Sequence, residues 1–190
     1  MAFVTIGNEK KEVTQGTTFE DLALEYQKDY DAPIALVYVN GCMKELSRPI
    51  EKDCEVQFIT LKDNAGHKAY VRTATLMMMK AIADIPELKD VHVKVEYTIG
   101  NGYYVDFRDQ AGIGKAMADV IQQKMKELSE RNLTIIKKAY PTKEAVELFR
   151  SQGMDDKVKL FKYRKSSSIN VYELDGYYDY YYGYMLPKTG

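Results

Sequence analysis

Histidine, cysteine and tryptophan are nearly missing from this 190-residue chain, which holds two, two and none of them. The scarcity of histidine matters most, because a metal site commonly gathers three or four ligands. His67 and His92 lie far apart in the sequence, and each is read as structural. Cys42 and Cys54 stand twelve apart with no CxxC pattern. That spacing argues against a disulfide framework and for a reducing, intracellular home. Neither has a neighbour set that would activate a thiol. Charge of one sign is also missing. With 27 basic and 28 acidic residues, no global field draws the chain to nucleic acid or an anionic membrane, so any RNA contact needs a local patch. No apolar run approaches the roughly 20 residues that span a bilayer. The opening "MAFVTIGNEKKEVT" carries no secretory apolar stretch, so a cytoplasmic protein without membrane partners is expected.

Tyrosine, in contrast, is abundant. Of 16 tyrosines, six fall in "GYYDYYYGYM", Gly176 to Met185. Three readings compete for this stretch: a stacking platform for bases, an adhesive low-complexity tail, or part of a buried sheet that has lost an earlier chemistry. If it is a strand, period two puts Tyr178, Tyr180, Tyr182 and Tyr184 on one face. Tyr177, Asp179, Tyr181 and Gly183 take the other.

Hydrophobic residues make up 45% of the chain, enough for a packed core. The first 62 residues read as strand, strand, helix, strand-turn-strand, loop, strand. "TTFEDLALEYQKDY" has Thr17 and Glu20 in capping-box spacing, with Phe19, Leu22, Ala23 and Tyr26 on one face. "IALVYVNGCMKEL" holds an Asn40-Gly41 hairpin turn. One helix over a mixed sheet is a β-grasp arrangement. The polar "KDNAGHKAY" predicts a boundary near residue 63. Beyond it the pattern is α+β: a helix in "AYVRTATLMMMKAIADI", a hairpin in "VHVKVEYTI" and "YYVDF" turning at Gly100-Asn101-Gly102, and a long helix from "IGKAMADV". A strand "LTIIKKAY", a helix "TKEAVELFRSQG", a strand "KVKLFKY", and strand-like residues to the end complete it. The three methionines at 77–79 are read as helix core with one exposed member.

Taken in order, these segments resemble a known pair of modules. "ALVYVNGCMKELSRPIEKDCEVQFIT" resembles the TGS domain, a β-grasp module. "IGNGYYVDF", the long helix, "TIIKKAYPTKEAVELFRSQGMDDKVKLF" and "YYDYYYGYMLP" resemble the editing domain that follows TGS in threonyl-tRNA synthetases. The resemblance implies a TGS domain over 1–62 and an editing-like α+β domain over 63–190. Family members carry HxxxH on the first helix and CxxxH near the end, converging on a water. Here the first pair falls near Arg72 and Leu76 and the second on Tyr181 and Met185. Tyrosine and methionine do not replace thiolate and imidazole as zinc ligands or as a base at neutral pH. No catalytic residue and no metal site is therefore expected. The ligand-pocket candidates become Arg72, Leu76, Tyr103, Tyr104, Tyr181 and Met185.

A degenerate editing-like domain behind TGS also resembles the front of a uridine-kinase-like nucleoside kinase. That likeness implies a non-catalytic regulatory module whose partner is its own C-terminal kinase domain, where ATP and Mg²⁺ would act. The chain itself has no P-loop: in "DQAGIGKA", Asp109 and Ala116 stand where Gly and Ser or Thr are needed. The end at "LPKTG" is read as the edge of a fragment lacking the kinase. The alternative implied by the resemblance is an aminoacyl-tRNA editing hydrolase or a tRNA-binding module. Nucleotide and RNA are the candidate ligands. Lys157, Lys159, Lys162, Arg164 and Lys165 form a basic stripe able to meet phosphates, or else lysines guarding a sheet edge.

Overall fold

A computed structural model describes residues 1–89, 91–100, 102–108 and 113–190. The hairpin residue Asn101 and the 109–112 part of "DQAGIGKA" lie outside the described residues.

The N-terminal sheet has five strands: β1 (Ala2–Ile6), β2 (Glu9–Val13), β3 (Ile34–Val39), β4 (Cys42–Glu45) and β5 (Cys54–Thr60), in the order β2-β1-β5-β3-β4. β1 and β5 run parallel and the other neighbours antiparallel. Helix α1 (Phe19–Tyr26) buries Phe19, Leu22 and Ala23 against it. The capping box sits one residue later than the sequence reading placed it. Thr18 accepts from the Asp21 amide while the Asp21 carboxylate accepts from the Thr18 amide, a reciprocal pairing of two groups that the helix leaves unsatisfied.

Most of the polar stretch 62–70 is helical. Helix α2 (Asn64–Ala83) already begins there and carries Gly66 into the junction. A Cβ on Gly66 would lie 2.0 Å from the Thr60 carbonyl oxygen, so only glycine permits this approach of helix to strand. One side of α2, with Ala69, then packs on Ala35, Leu36 and Ile59 of the N-terminal sheet.

The remaining elements are the hairpin β6 (Val93–Ile99) and β7 (Gly102–Phe107), α3 (Lys115–Glu130), β8 (Ile136–Pro141), α4 (Thr142–Ser151), α5 (Asp155–Lys162), β9 (Ser168–Leu174) and β10 (Tyr177–Asp179). Strands β10-β9-β8 form an antiparallel sheet. Period two along β9 sorts its faces: Tyr172 and Leu174 meet Leu76, Met77 and Leu128 of α2 and α3, whereas Ile169 and Val171 meet Phe149 and Phe161 of α4 and α5. The predicted strand "KVKLFKY" is the helix α5. Asp155 and Asp156 in its first turn and Lys159 and Lys162 in its last complement the helix dipole. Val158 and Phe161, three apart, face the same cluster. No methionine of the 77–79 triplet is exposed: Met77 and Met78 serve two different clusters, and Met79 borders a cavity.

Glu45, at the end of β4, ties the N-terminal sheet to the rest. Its side chain is 5% exposed and accepts from the Tyr172 hydroxyl at 2.6 Å, the Met185 amide at 3.1 Å and the Lys137 ammonium at 3.2 Å. Lys137 lies between the rings of Tyr172 and Tyr184, 5.0 and 5.2 Å from their centroids. Burial first, and then Glu45, raises the Tyr172 phenol above its ordinary value, so it remains a donor. Glu45→Ala is expected to lower unfolding free energy by about 3 kcal/mol, since Lys137, with a side chain 14% exposed, would lose its partner and the Tyr172 hydroxyl and Met185 amide would lose an acceptor. Urea denaturation measures the loss, and a change below about 1 kcal/mol would remove Glu45 from this role.

Candidate functional site

Three hollows meet at the tyrosine-rich segment. The central cavity, roughly 380 Å³, lies between α2, the β6–β7 hairpin, the start of α5 and residues 177–182. Val71, Thr75 and Met79 line it from α2, one turn apart each, so they share a face. The i, i+4 pair that looks into the cavity is therefore Val71 and Thr75, one residue earlier than Arg72 and Leu76. Leu76 is in the core, fully buried. Arg72 sits at the rim. Neither Val71 nor Thr75 offers a base or a metal ligand comparable with histidine. Among the described residues no group of three His, Cys, Asp or Glu side chains could hold a metal ion.

The far wall is polar. Asp179, 3% exposed, pairs with the Lys157 ammonium at 3.1 Å. Burial raises the Asp179 carboxyl above the ordinary 3.8, and Lys157 offsets this only in part. The ammonium also lies 5.8 Å from the centre of the Tyr181 ring. Desolvation, followed by Asp179, holds the Tyr181 phenol well above its usual value. Tyr181 is thus a hydrogen-bond donor at neutral pH, and no base. This wall presents the Lys157 ammonium, the Asp179 carboxyl and the Tyr181 phenol opposite Val71 and Met79. Such a set can orient a polar ligand by hydrogen bonds.

The basic groove, roughly 530 Å³, runs along the other side of the tyrosines and is lined by Arg48, Lys137, Arg164, Ser166 and Ser168. Arg164 hydrogen-bonds the Tyr180 hydroxyl and stacks 5.4 Å from that ring. The third hollow, roughly 580 Å³, opens between the N-terminal sheet and α2.

The candidate residues scatter among these places. Arg72, Tyr103 and Tyr181 line the central cavity. Met185 is 1% exposed in the core, where it packs with Leu76. Tyr104 points away from the cavity, stacked on Tyr97 across the hairpin at 5.3 Å. A register shift between Val95 and Tyr97 brings those two rings together. The basic stripe divides, because α5 is a helix: Lys157 turns into the cavity and Arg164 into the groove. Lys159, Lys162 and Lys165 are exposed and line none of the three hollows. His67 and His92 are both exposed. Asp179 escaped the candidate set although its place beside Tyr177 and Tyr181 in the period-two pattern marked it. Val71, Thr75 and Arg48 left no such mark.

The tyrosines have distinct fates. Only Tyr177–Asp179 is strand. Tyr177 is buried, the Tyr178 backbone is clasped by the Gln152 amide, and Tyr180 stands edge-on to Phe161. Tyr182 alone is bare, 83% exposed at the crest where the three hollows meet.

No protein-family model matches the chain. It is 27% identical over 183 residues to the threonine-tRNA ligase of Francisella tularensis subsp. novicida (strain U112), covering 94% of this chain and 28% of that protein. The threonine-tRNA ligase of Francisella tularensis subsp. tularensis (strain SCHU S4 / Schu 4) is similar to the same extent. The chain thus spans about 28% of the length of these curated relatives. The similarity and the mixed architecture identify a threonyl-tRNA-synthetase-like α+β region. No helix is long and apolar enough to cross a membrane among the described residues.

The raised Asp179 carboxyl makes a pH prediction. Because its native value exceeds the unfolded one, its contribution to stability is complete below about pH 3.8 and is lost as pH rises through the native value. Asp179→Asn removes that titration, so wild-type stability should fall relative to the variant from about pH 4 upward. Lys157 stays charged over this range, so Asp179 is the member of the pair whose titration the comparison reads. Paired urea titrations at several pH values measure it, and a pH-independent difference would refute the raised carboxyl.

Proposed function

We propose that the chain is a tRNA-binding module that does not hydrolyse its ligand. In this reading a TGS-type β-grasp unit (1–62) is joined to an editing-like unit (63–190) that has lost its catalytic set. The observation that carries it is the basic groove: Arg48 and Arg164 flank the bare Tyr182 ring beside a polar cavity, in a chain similar to threonine-tRNA ligases. Guanidinium groups meet phosphates, and an exposed aromatic ring stacks on a base without regard to its identity.

The absence of hydrolysis rests on chemistry. Val71, Thr75 and Tyr181 stand where a water-activating set would be needed, and none is a base near neutral pH. Lys157 and Asp179 hold each other. Their pairing suits recognition of a polar group at an RNA end, with the ammonium donating and the carboxyl accepting or donating according to its protonation. The similarity to tRNA ligases favours this reading over the front module of a nucleoside kinase. A cytoplasmic setting, and the lack of a bound cofactor, belong to the same proposal.

Fluorescence anisotropy with labelled tRNA tests it. Binding is expected to weaken with salt, and Arg48→Gln or Arg164→Gln should each reduce the slope of log affinity against log salt by roughly 0.7 to 0.9. Mischarged tRNA should remain acylated in the presence of the protein. Turnover that disappears in Asp179→Asn would establish a hydrolase instead, and salt-independent binding unaffected by both arginine changes would defeat the RNA reading.

A further inference from the structure

The cleft between the N-terminal sheet and α2 meets the basic groove at Tyr182, Gly183 and Tyr184 but has its own cations. Its floor belongs to the N-terminal sheet, with Met43 and Ile59 as the apolar part beside Tyr38 and Gln57; Lys68 and Arg72 project into it from α2, one turn apart. Among the described residues neither cation forms an ion pair. Asp63 is the only acid on the cleft wall, and its carboxylate is engaged by the Thr60 amide at 2.7 Å and the Thr60 hydroxyl at 2.9 Å. Those bonds hold it below the ordinary carboxylate range. The cleft is therefore cationic at its centre.

Arg72 is also fixed in place. Its guanidinium lies under Gly183, where an added Cβ would come 2.6 Å from Cζ, and Nη1 donates to the Tyr184 carbonyl at 3.3 Å. Gly183 has φ +126°, a conformation side chains rarely adopt. The segment thus bends over the arginine and clamps it. One of five N–H donors is spent on Tyr184, and the planar fork keeps the others for an anion. Tyr182, next to that bend, holds its bare ring over the same cleft.

We propose that this cleft is a nucleotide-phosphate site, in which Lys68 and Arg72 hold the phosphate and Tyr182 stacks on the base. A clamped guanidinium, a neighbouring ammonium, a partly apolar floor and an exposed ring match the parts of a nucleoside monophosphate. The volume of roughly 580 Å³ suits one such unit. The unit is a free nucleotide or one residue of an RNA strand. The site shares the Tyr182 ring with the groove of Arg48 and Arg164 but takes its cations from α2.

Isothermal titration with AMP, adenosine and a single-stranded RNA of about eight nucleotides tests the proposal. AMP should bind and adenosine should bind much more weakly, since the phosphate supplies the contact. Lys68→Gln and Arg72→Gln should each weaken AMP by about tenfold, the loss typical of one charge-assisted hydrogen bond. Lys68 is exposed, so its variant is informative even if the arginine change disturbs folding. Lys126→Gln, on the exposed side of α3, controls for net charge and should leave binding unchanged. RNA that displaces AMP and is itself weakened by Lys68→Gln assigns the site to a strand; AMP binding that RNA does not displace assigns it to free nucleotide. AMP binding no tighter than adenosine, or indifferent to Lys68→Gln, overturns the proposal. AMP binding that survives alongside failed tRNA binding would leave this site standing and remove only the groove.

Discussion

A single buried carboxylate organises the junction. Glu45 reaches from the edge strand of the N-terminal sheet to Lys137 on β8, Tyr172 on β9 and the backbone of Met185. A charge so far from water is tolerable only when its lone pairs are filled and a counter-ion is near. Each partner comes from a different stretch of the C-terminal half, so the pairing requires the sheets and the final segment to arrive together. Lys137, between two tyrosine rings, adds a cation–π contact to the ion pair. The position of the tyrosine-rich segment, and with it every hollow around it, follows from this node.

The same segment shows how a biased composition can be divided among separate tasks. Tyr177 gives its body to the core, Tyr180 its ring to Phe161, Tyr181 its hydroxyl side to Asp179, and Tyr184 its face to Lys137. Tyrosine suits all four because an apolar ring carries one polar tip. Gly183 interrupts the run and lets the chain bend over Arg72. What remains exposed is one ring, Tyr182, and its isolation singles it out as a contact surface.

Much of the architecture was legible from local pattern. The five N-terminal strands with their helix, the hairpin of β6 and β7, the long α3 and the strand-then-helix of β8 and α4 all follow from periodicity and turn residues. The misreadings are equally local in origin. "KVKLFKY" alternates like a strand, yet two aspartates before it and lysines at its end make a better helix terminus pair, and Phe161 has a partner in Phe149. The helical character of 64–70 escaped the pattern because polarity alone does not report a helix whose buried face consists of glycine and alanine. Motif spacing alone put Leu76 and Met185 beside a ligand, whereas both are buried in the core. Rotation of α2 by one residue puts Val71 and Thr75 there instead.

By itself the sequence determined most of the order of elements, the scarcity of histidine and cysteine and the likeness to a synthetase module. These depend on residue identity and on neighbours a few positions away. Only the tertiary structure decided which charged groups work together. Arg48 joins Arg164, Lys157 joins Asp179, and Lys68 joins Arg72 beneath Gly183. The first two of these pairings span long separations, and the third is completed by a glycine at the other end of the chain. The energy of a charge depends on what surrounds it in space, and spacing along the chain does not carry that information.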